Sequence, residues 1–250
     1  IMISVKNSDQ IKLMKEAGRI TGESILLAAE AIRPGVTTRQ LDTIIRRHIE
    51  SQGAKPSFLG YGGFPGSACI SINDQVIHGI PGPRVIDEGD IVKIDVGAFY
   101  KGFHGDSANT FPCGRISAEA QRLIDVTRES FWKGIAEAKP GNRVGDIGHA
   151  VQSYVEENGF SVVRRYVGHG VGEELHMEPD VPNFGTKGRG VRLYAGMTIA
   201  VEPMVNIGGP DVRELRDKWT VVTEDGTLSA HYEHSIAITN DGPIVLTKVD

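Results

Sequence analysis

Two apolar segments in this chain of 250 residues each contain an acidic residue, and each is followed by a second acid. Asp95 lies in the apolar segment IVKIDVGAF and Glu202 in TIAVEPM. A second acid follows each of them, Asp106 in HGDSANTF and Glu233 in SAHYEHSIAI. An ionised carboxylate on a buried strand is costly unless it is paired or binds a metal. A single acid of this kind is often a structural ion-pair partner, but two pairs at equivalent places favour a functional site.

Four carboxylates in one cleft indicate a site for two metal ions. The negative charges would repel and raise the pKa of each carboxyl group, whereas two divalent cations would balance them. Hydrolytic sites of this kind hold their ions roughly 3.5–4 Å apart and bridge them with a water or hydroxide. A ligand set made of carboxylate oxygens with at most one histidine favours cobalt, manganese, iron or zinc over copper.

Three of the eight histidines each follow a strand-like run or lie in a predicted loop with a glycine or proline nearby, namely His78 in VIHGIP, His169 in GHGVG and His176 in ELHMEP. Loops on rigid scaffolds commonly place functional groups in this way. The GHGVG segment lacks the spacing of a phosphate-binding GxGxxG loop, and no GK[ST] follows it. A tight glycine loop that directs the His169 imidazole at a metal explains the same residues better.

Other histidines are weaker candidates. His231 and His234 bracket Glu233, but an isolated HxxH is a weak zinc signal, so we expect one of the two to be exposed or to lie outside the ligand set. His104 lies in a predicted hairpin turn, where we expect it to be solvated.

Helical and extended segments recur in the same order in two parts of the chain. Apolar spacing predicts a helix over 8–32 with Ser8 as its N-cap, and a second helix from about Thr37 to Gly53. Extended runs follow at 67–72, 76–80 and 90–100, the last leading into a hairpin. The pattern then returns, because Pro34 recurs 106 residues later as Pro140 and segment 88–97 aligns with 195–204.

This repeat predicts an α+β fold in which an antiparallel sheet is flanked by helices. The halves, about 1–115 and 116–250, would be related by an internal duplication with a pseudo-two-fold axis. No Pro/Ser-rich linker separates them, so we expect a single catalytic domain over 1–250. A site built from matching strands would lie in the cleft on that axis.

The composition excludes several classes of protein. Hydrophobic residues make up 40%, charged residues 24%, and the net charge is −5, which excludes a disordered chain and gives no support for nucleic-acid binding. No apolar run approaches the roughly 18–20 residues of a membrane span, and we recognise no signal peptide. The two cysteines, Cys69 and Cys113, cannot form a disulfide framework. We therefore expect a reduced, cytoplasmic protein, as a monomer, without membrane or nucleic-acid partners.

Segments over almost the whole chain resemble the methionine aminopeptidases of bacterial type I. They are SINDQVIHGIP, DVGAFYKGFHGDSANTF, YVGHGVGEELHMEPDVPN, AGMTIAVEPM and SAHYEHSIAIT. Members of that family have a duplicated "pita-bread" fold around a central cleft with two metals. The resemblance implies removal of the initiator methionine from nascent polypeptides when the second residue is small, and the ribosome is a candidate partner.

The resemblance also implies a role for each candidate ligand. Asp95 would hold one metal bidentately, His169 and Glu202 would hold the other, and Asp106 and Glu233 would bridge both. The metals would activate a bridging water and polarise the scissile carbonyl. Glu202 would pass the water's proton to the leaving amine.

Further residues are implied to bind the substrate. His78 would contact the scissile amide region, and His176 the developing oxyanion. The free α-amino group would bind near the metal held by Asp95. The methionine pocket would consist of Phe58, Tyr61, Phe64, Cys69, Leu175 and Trp219, although a buried aromatic side chain is more often part of a core than of a pocket. Some family members bind a monovalent cation at positions equivalent to Asn73, Gln75 and Ser229.

Three alternatives remain. Xaa-Pro aminopeptidases and prolidases share the five ligands, but they usually carry an extra N-terminal domain, which we do not expect here. A non-enzymatic scaffold on the same fold would have lost ligands. A structural protein with a single metal would not need His78 and His176.

Overall fold

The computed structural model describes residues 3–249. Within them it has α1 (Ser8–Glu30), α2 (Thr38–Ser51), α3 (Ala118–Ile135), α4 (Val144–Glu157) and a 3₁₀ turn at Tyr61–Gly63. The strands are β1 (Lys55–Pro56), β2 (Ala68–Ile72), β3 (Gln75–Ile77), β4 (Ile91–Tyr100), β5 (Phe103–Pro112), β6 (Ser161–Val162), β7 (Gly168–Gly170), β8 (Met177–Val181), β9 (Thr198–Val201), β10 (Met204–Asn206), β11 (Val212–Glu214), β12 (Val221–Thr223), β13 (Ser229–His231), β14 (Glu233–Thr239) and β15 (Gly242–Val245).

The two helix pairs have matching connections. Gly35 precedes α2 with a φ of 92°, and Gly141 precedes α4 with a φ of 98°. Glycine enters this left-handed region without the steric cost that other residues meet. The predicted N-cap of α1 was wrong by one residue, because Asn7 and not Ser8 caps the helix, with Asn7 Oδ1 accepting from two backbone N–H groups at 3.0 Å.

One large sheet joins strands from both parts of the chain. Its order is β1-β4-β5-β14-β9-β7-β8, with β2 also paired to β4 and β15 to β14. The neighbouring strands along this order run antiparallel. The contact between the two parts is direct, since β5 pairs with β14. The predicted architecture of an antiparallel sheet with flanking helices is confirmed.

Each helix pair covers part of this sheet through its own apolar cluster. Ile20 of α1 and Leu41 of α2 are buried with Ile94 of β4, and Phe131 of α3 is buried with Ile199 of β9. Burying such a side chain contributes roughly 1.5–3 kcal/mol. Because side chains alternate along a strand, the residues next to Ile94 and Ile199 face away from the helices and are free to form a site.

Strand β3 ends earlier than the sequence predicts. The segment 76–80 was expected to be extended throughout, but the strand stops at Ile77 and His78 has a φ of 59°. A non-glycine residue in this region costs roughly 1–3 kcal/mol and persists where the surroundings enforce it. This outlier favours a functional role for the His78 side chain.

Replacing Gly79 by alanine is expected to destabilise the fold by about 1–3 kcal/mol, the scale of overpacking in a core. An added Cβ would meet the Ile70 carbonyl and the Ser71 hydroxyl, both on β2. Gly82→Ala is the matched control, because the nearest atom to its Cβ is 3.9 Å away. Urea unfolding measures both variants, and equal free energies of unfolding would contradict the prediction.

Candidate metal centre and cavity

Five neighbouring strands each bring one predicted ligand to the same cavity. These are Asp95 on β4, Asp106 on β5, Glu233 on β14, Glu202 immediately after β9, and His169 on β7. In the strand register Gly97 lies opposite Asp106, while Ala108 lies opposite both Asp95 and Glu233. The small cross-strand neighbours leave room for the acids.

The donor atoms are spaced for a shared cation and not for hydrogen bonds. His169 Nε2 lies 3.6 Å from Asp106 Oδ2 and 3.5 Å from Glu202 Oε1, beyond the roughly 2.7–3.2 Å of a hydrogen bond. Two ligands bound to one ion at roughly 2.0–2.2 Å lie about 3–3.5 Å apart. Donor atoms of Asp106, His169 and Glu233 all lie within 4.8 Å of one another.

The buried carboxylates have little to compensate their charge. Asp95 Oδ1, Asp106 Oδ1 and Glu233 Oε1 have no hydrogen-bond partner in the described structure, and no lysine or arginine of residues 3–249 pairs with these acids. Burial raises the pKa of Asp106 to about 7. Burial and, second, repulsion from neighbouring acids raise the pKa values of Asp95, Glu202 and Glu233 well above their ordinary range. This donor set fits divalent cations.

His169 is held in the form that binds metals. Its Nδ1 lies 2.8 Å from the Gly170 carbonyl oxygen. When Nδ1–H donates to that oxygen, Nε2 is left with its lone pair facing the acids. Burial, with the nearby His176 as the second cause, lowers the pKa of His169 to about 3. The imidazole is therefore neutral near pH 7, as ligation requires.

His231, a weak candidate from its sequence alone, lies among the buried acids. It is 1% exposed, and neither ring nitrogen has a hydrogen-bond partner among the described residues. Its Nε2 lies 3.6 Å from Glu233 Oε2 and 3.9 Å from Glu202 Oε2, and it forms a second possible metal-binding group with Asp95 and Glu233. His234 instead hydrogen-bonds to hydroxyl groups. It belongs to neither possible metal-binding group, so it is the histidine of this pair that lies outside them. The HxxH spacing alone did not distinguish the two.

The acids open into a cavity of about 390 Å³. All the predicted substrate-binding residues line it, namely Phe58, Tyr61, Phe64, Cys69, Leu175, Trp219, His78 and His176. Phe64 and Trp219 meet edge to face with ring centroids 5.1 Å apart. Four further residues that were not predicted from the sequence also line the cavity, namely Ile77, Arg165, Tyr166 and Val167. Their one sequence signal is proximity to His78 and His169 along the chain.

Two histidines on the cavity wall have lowered pKa values. His78 lies against the rings of Tyr166 and Trp219, at centroid distances of 5.9 and 6.4 Å, and burial lowers its pKa to about 4. His176 Nδ1 lies 2.8 Å from the Tyr61 hydroxyl, and burial lowers its pKa too. If the hydroxyl donates this bond, His176 Nε2 carries the proton and is a hydrogen-bond donor.

The prediction that His104 is solvated was wrong. Its Nδ1 lies 2.9 Å from Ser57 Oγ, and its ring lies 4.6 Å from that of Phe99. Burial lowers the pKa of His104 to about 4. The hairpin turn precedes it, at Lys101 and Gly102, so that His104 lies within β5.

Comparison with known proteins decides which family this set of residues represents. The model of metallopeptidase family M24 matches residues 12–240. The chain belongs to metallopeptidase family M24. Curated M24 relatives include methionine aminopeptidase from Clostridium perfringens, 55% identical over 99% of this chain and 100% of that protein. Methionine aminopeptidase 1 from Bacillus subtilis is 52% identical over the same shares.

Solved structures of M24 proteins confirm the duplicated pita-bread fold. The crystal structure of methionine aminopeptidase from Thermotoga maritima has a TM-score of 0.98 and 45% identity, covering 99% of this chain and 100% of that one. Prolidase from Pyrococcus furiosus has a TM-score of 0.81 and 23% identity, over 98% of this chain and 66% of that one, and shows the shared fold alone. No helix within residues 3–249 has the length and apolarity needed to cross a membrane.

The expected monovalent cation does not fit the residues predicted to bind it. Between the carbonyl oxygens of Asn73 and Ser229 lies the side-chain nitrogen of Lys93, which donates to both. The third predicted residue, Gln75, closes a turn, where its side-chain oxygen accepts from Ile72 N at 2.8 Å.

Proposed function

We propose that this M24 protein is a metal-dependent aminopeptidase that removes the N-terminal methionine from polypeptides whose second residue is small. The observation that carries the proposal is the cluster of four buried acids and His169, which opens directly into an apolar cavity of about 390 Å³. Full-length relatives named methionine aminopeptidase support the substrate.

The proposed cofactor is a pair of divalent ions, with cobalt, manganese, iron or zinc as the candidates. The residues that would hold them are Asp95, Asp106, His169, Glu202 and Glu233. Bound ions would supply a nucleophilic water at neutral pH and polarise the scissile carbonyl. The three carboxylate oxygens without partners and the neutral His169 support this assignment.

The surrounding side chains would orient the substrate and move its protons. Glu202 Oε1 lies 3.5 Å from His169 Nε2 among the candidate ligands, and its carboxylate would take a proton from water and release it to the leaving amine. His176, with Nδ1 engaged by Tyr61, would donate from Nε2 to the charge that develops on the carbonyl oxygen. His78 would contact the scissile amide, where the aromatic contacts around its ring fix its position.

The cavity chemistry supports methionine as the first residue. Phe58, Phe64, Cys69 and Leu175 are buried in one apolar cluster, against which Trp219 packs. An unbranched thioether side chain suits such a pocket because it adapts to irregular apolar surfaces.

Trp219→Ala is expected to lower kcat/KM for Met-Ala-Ser by about tenfold or more, mainly through KM, since uniform binding energy is lost. Tyr194→Ala is the control, because Tyr194 is 50% exposed and does not line the cavity. An unchanged KM in the Trp219 variant would count against the pocket assignment.

A second candidate activity is cleavage of Xaa-Pro peptides, because prolidases share the fold. The test reconstitutes the metal-free protein with each candidate metal and assays Met-Ala-Ser, N-acetyl-Met-Ala-Ser and Ala-Pro peptides. We expect cleavage of Met-Ala-Ser only, because the acetyl group removes the amine that an aminopeptidase must bind. Metal-restored cleavage of the Xaa-Pro peptide alone would overturn the proposed substrate.

The proposed partners are nascent polypeptide N-termini, with the ribosome as a candidate docking partner for a cytoplasmic monomer. The net charge of −5 supports a protein without affinity for nucleic acid.

A further inference from the structure

A buried amino group occupies the place where a monovalent cation was expected. Lys93 Nζ donates to the backbone oxygens of Asn73 at 2.7 Å and Ser229 at 2.8 Å. The residue is 1% exposed. Main-chain carbonyl oxygens of this kind replace the hydration shell of a monovalent ion in proteins that bind one.

The partners of Lys93 are unusual for a buried lysine, which is rarely found without an acid. Within residues 3–249 no carboxylate pairs with Nζ, although Asp74 and Asp90 lie near enough to raise its pKa while Arg84 lowers it. Burial is the largest effect and lowers the pKa of Lys93 to about 7. Both protonation forms of an amine carry at least two N–H bonds, so donation to the two carbonyls does not depend on the form.

Asn73 lies at a turn that hydrogen bonds, including one from Lys93, attach to neighbouring strands. Its φ of 54° turns the chain between β2 and β3, and its side-chain oxygen accepts from Ile91 N at 3.0 Å. The Asn73 carbonyl oxygen accepts from Ser229 N at 3.1 Å as well as from Lys93. This turn is thereby bound to β4 and β13 at once.

Strand β13 leads directly to the candidate metal centre. Lys93 lies opposite Thr110 in the register of β4 and β5. The Thr110 hydroxyl donates to the His231 carbonyl oxygen at 2.8 Å and accepts from His231 N at 3.0 Å. Lys93 holds Ser229 at one end of β13 and Thr110 holds the other end, two residues before Glu233.

We propose that the Lys93 amino group takes the place of the monovalent cation that the resemblance implies, and that it positions β13 and Glu233 without an added ion. A tethered amino group has no translational freedom to lose on binding, unlike a free ion. Lys93 is a positioning residue, because it does not line the cavity and its amino group hydrogen-bonds to the backbone oxygens of Asn73 and Ser229 and to none of the proposed ligands.

The first test compares the unaltered, divalent-metal-loaded protein in NaCl, KCl and choline chloride at one ionic strength. We expect the same Tm and kcat/KM in all three salts, within about twofold, because no site for the ion is left to saturate. A saturable increase with Na⁺ or K⁺ would overturn the proposal. The Tm comparison does not depend on the proposed substrate.

The second test uses Lys93→Ala, which leaves space between the two carbonyl oxygens, and Lys93→Met, which fills that space without a donor. In choline chloride we expect both variants to lose about tenfold or more in kcat, with a smaller change in KM. Na⁺ or K⁺ should restore the activity and Tm of the alanine variant in a saturable manner, and should not restore the methionine variant. A folded alanine variant with full activity and no response to either ion would contradict the proposal.

A crystal of the unaltered protein soaked in RbCl provides a measurement that does not depend on the variants folding. We expect no anomalous peak between the Asn73 and Ser229 carbonyl oxygens. A rubidium peak there, with Lys93 Nζ displaced, would show that the lysine does not take the place of the ion.

Discussion

Asp106→Asn is expected to reduce metal-dependent release of methionine by at least about 10³-fold. Activity falls on this scale when one member of a group of residues that act together is removed. Asp106 lies beside His169 Nε2 and belongs to a group of three candidate ligands. An amide oxygen carries no full charge to hold a divalent cation. Metal content after dialysis and single-turnover hydrolysis of Met-Ala-Ser measure the two effects separately.

Asp125→Asn is the control, because Asp125 is an exposed acid paired with Arg128. The control should retain both metal and activity. Full activity in the Asp106 variant would contradict the ligand assignment.

In the metal-free protein the same Asp106 substitution is expected to stabilise the fold. Burial raises the pKa of Asp106 from 3.8 to about 7, so between about pH 4 and pH 7 the folded state keeps a proton that the unfolded state has lost. The contribution of Asp106 to stability therefore falls as the pH rises through that window. The Tm of the variant minus that of the unaltered protein should grow from about pH 5 to about pH 7.5 in EDTA.

Added Mn²⁺ should reverse the order of these Tm values. Binding to the folded state raises the stability of the unaltered protein by RT ln(1 + [L]/Kd), whereas the variant has lost a ligand. A Tm difference that does not change with pH, or that Mn²⁺ leaves unaltered, would contradict the account of the buried acids.

His176→Ala is expected to lower kcat for Met-Ala-Ser by about 10²–10³-fold with little change in KM, as for loss of one oxyanion donor. The reason is that Nε2 would act on charge present only in the transition state. Tyr61→Phe should give a smaller loss, because it removes the hydroxyl that engages His176 Nδ1 while leaving the imidazole. Steady-state kinetics of both variants measure the split between kcat and KM.

His149→Ala is the control for this pair, since the side chain lies exposed on α4. A large rise in KM in the His176 variant with kcat intact would assign that residue to ground-state binding instead.

The antiparallel sheet could be predicted from the sequence because it depends on local pattern, and the same pattern singled out the candidate ligands. Asp95 and Glu202 could be paired through the repeat, and an acid inside an apolar strand has few structural explanations. The sheet order then brings these strands together on either side of β5 and β14.

Contacts across strands could not be predicted in the same way. The burial of His231 between Glu233 and Glu202 depends on how β13 lies over β5, and no short motif encodes that placement. Lys93 did carry a signal, because it interrupts the same apolar segment as Asp95. Its partners, Asn73 and Ser229, are far apart in the chain and are brought together by the fold alone.

The most direct test of the metal centre is a crystal structure of the manganese-loaded protein with anomalous scattering. We predict two peaks, each with donor atoms at roughly 2.0–2.3 Å. The ligands should be the carboxylates of Asp95, Asp106, Glu202 and Glu233 with His169 Nε2. A single peak held by Asp95, His231 and Glu233, with Asp106 and Glu202 uncoordinated, would contradict the account.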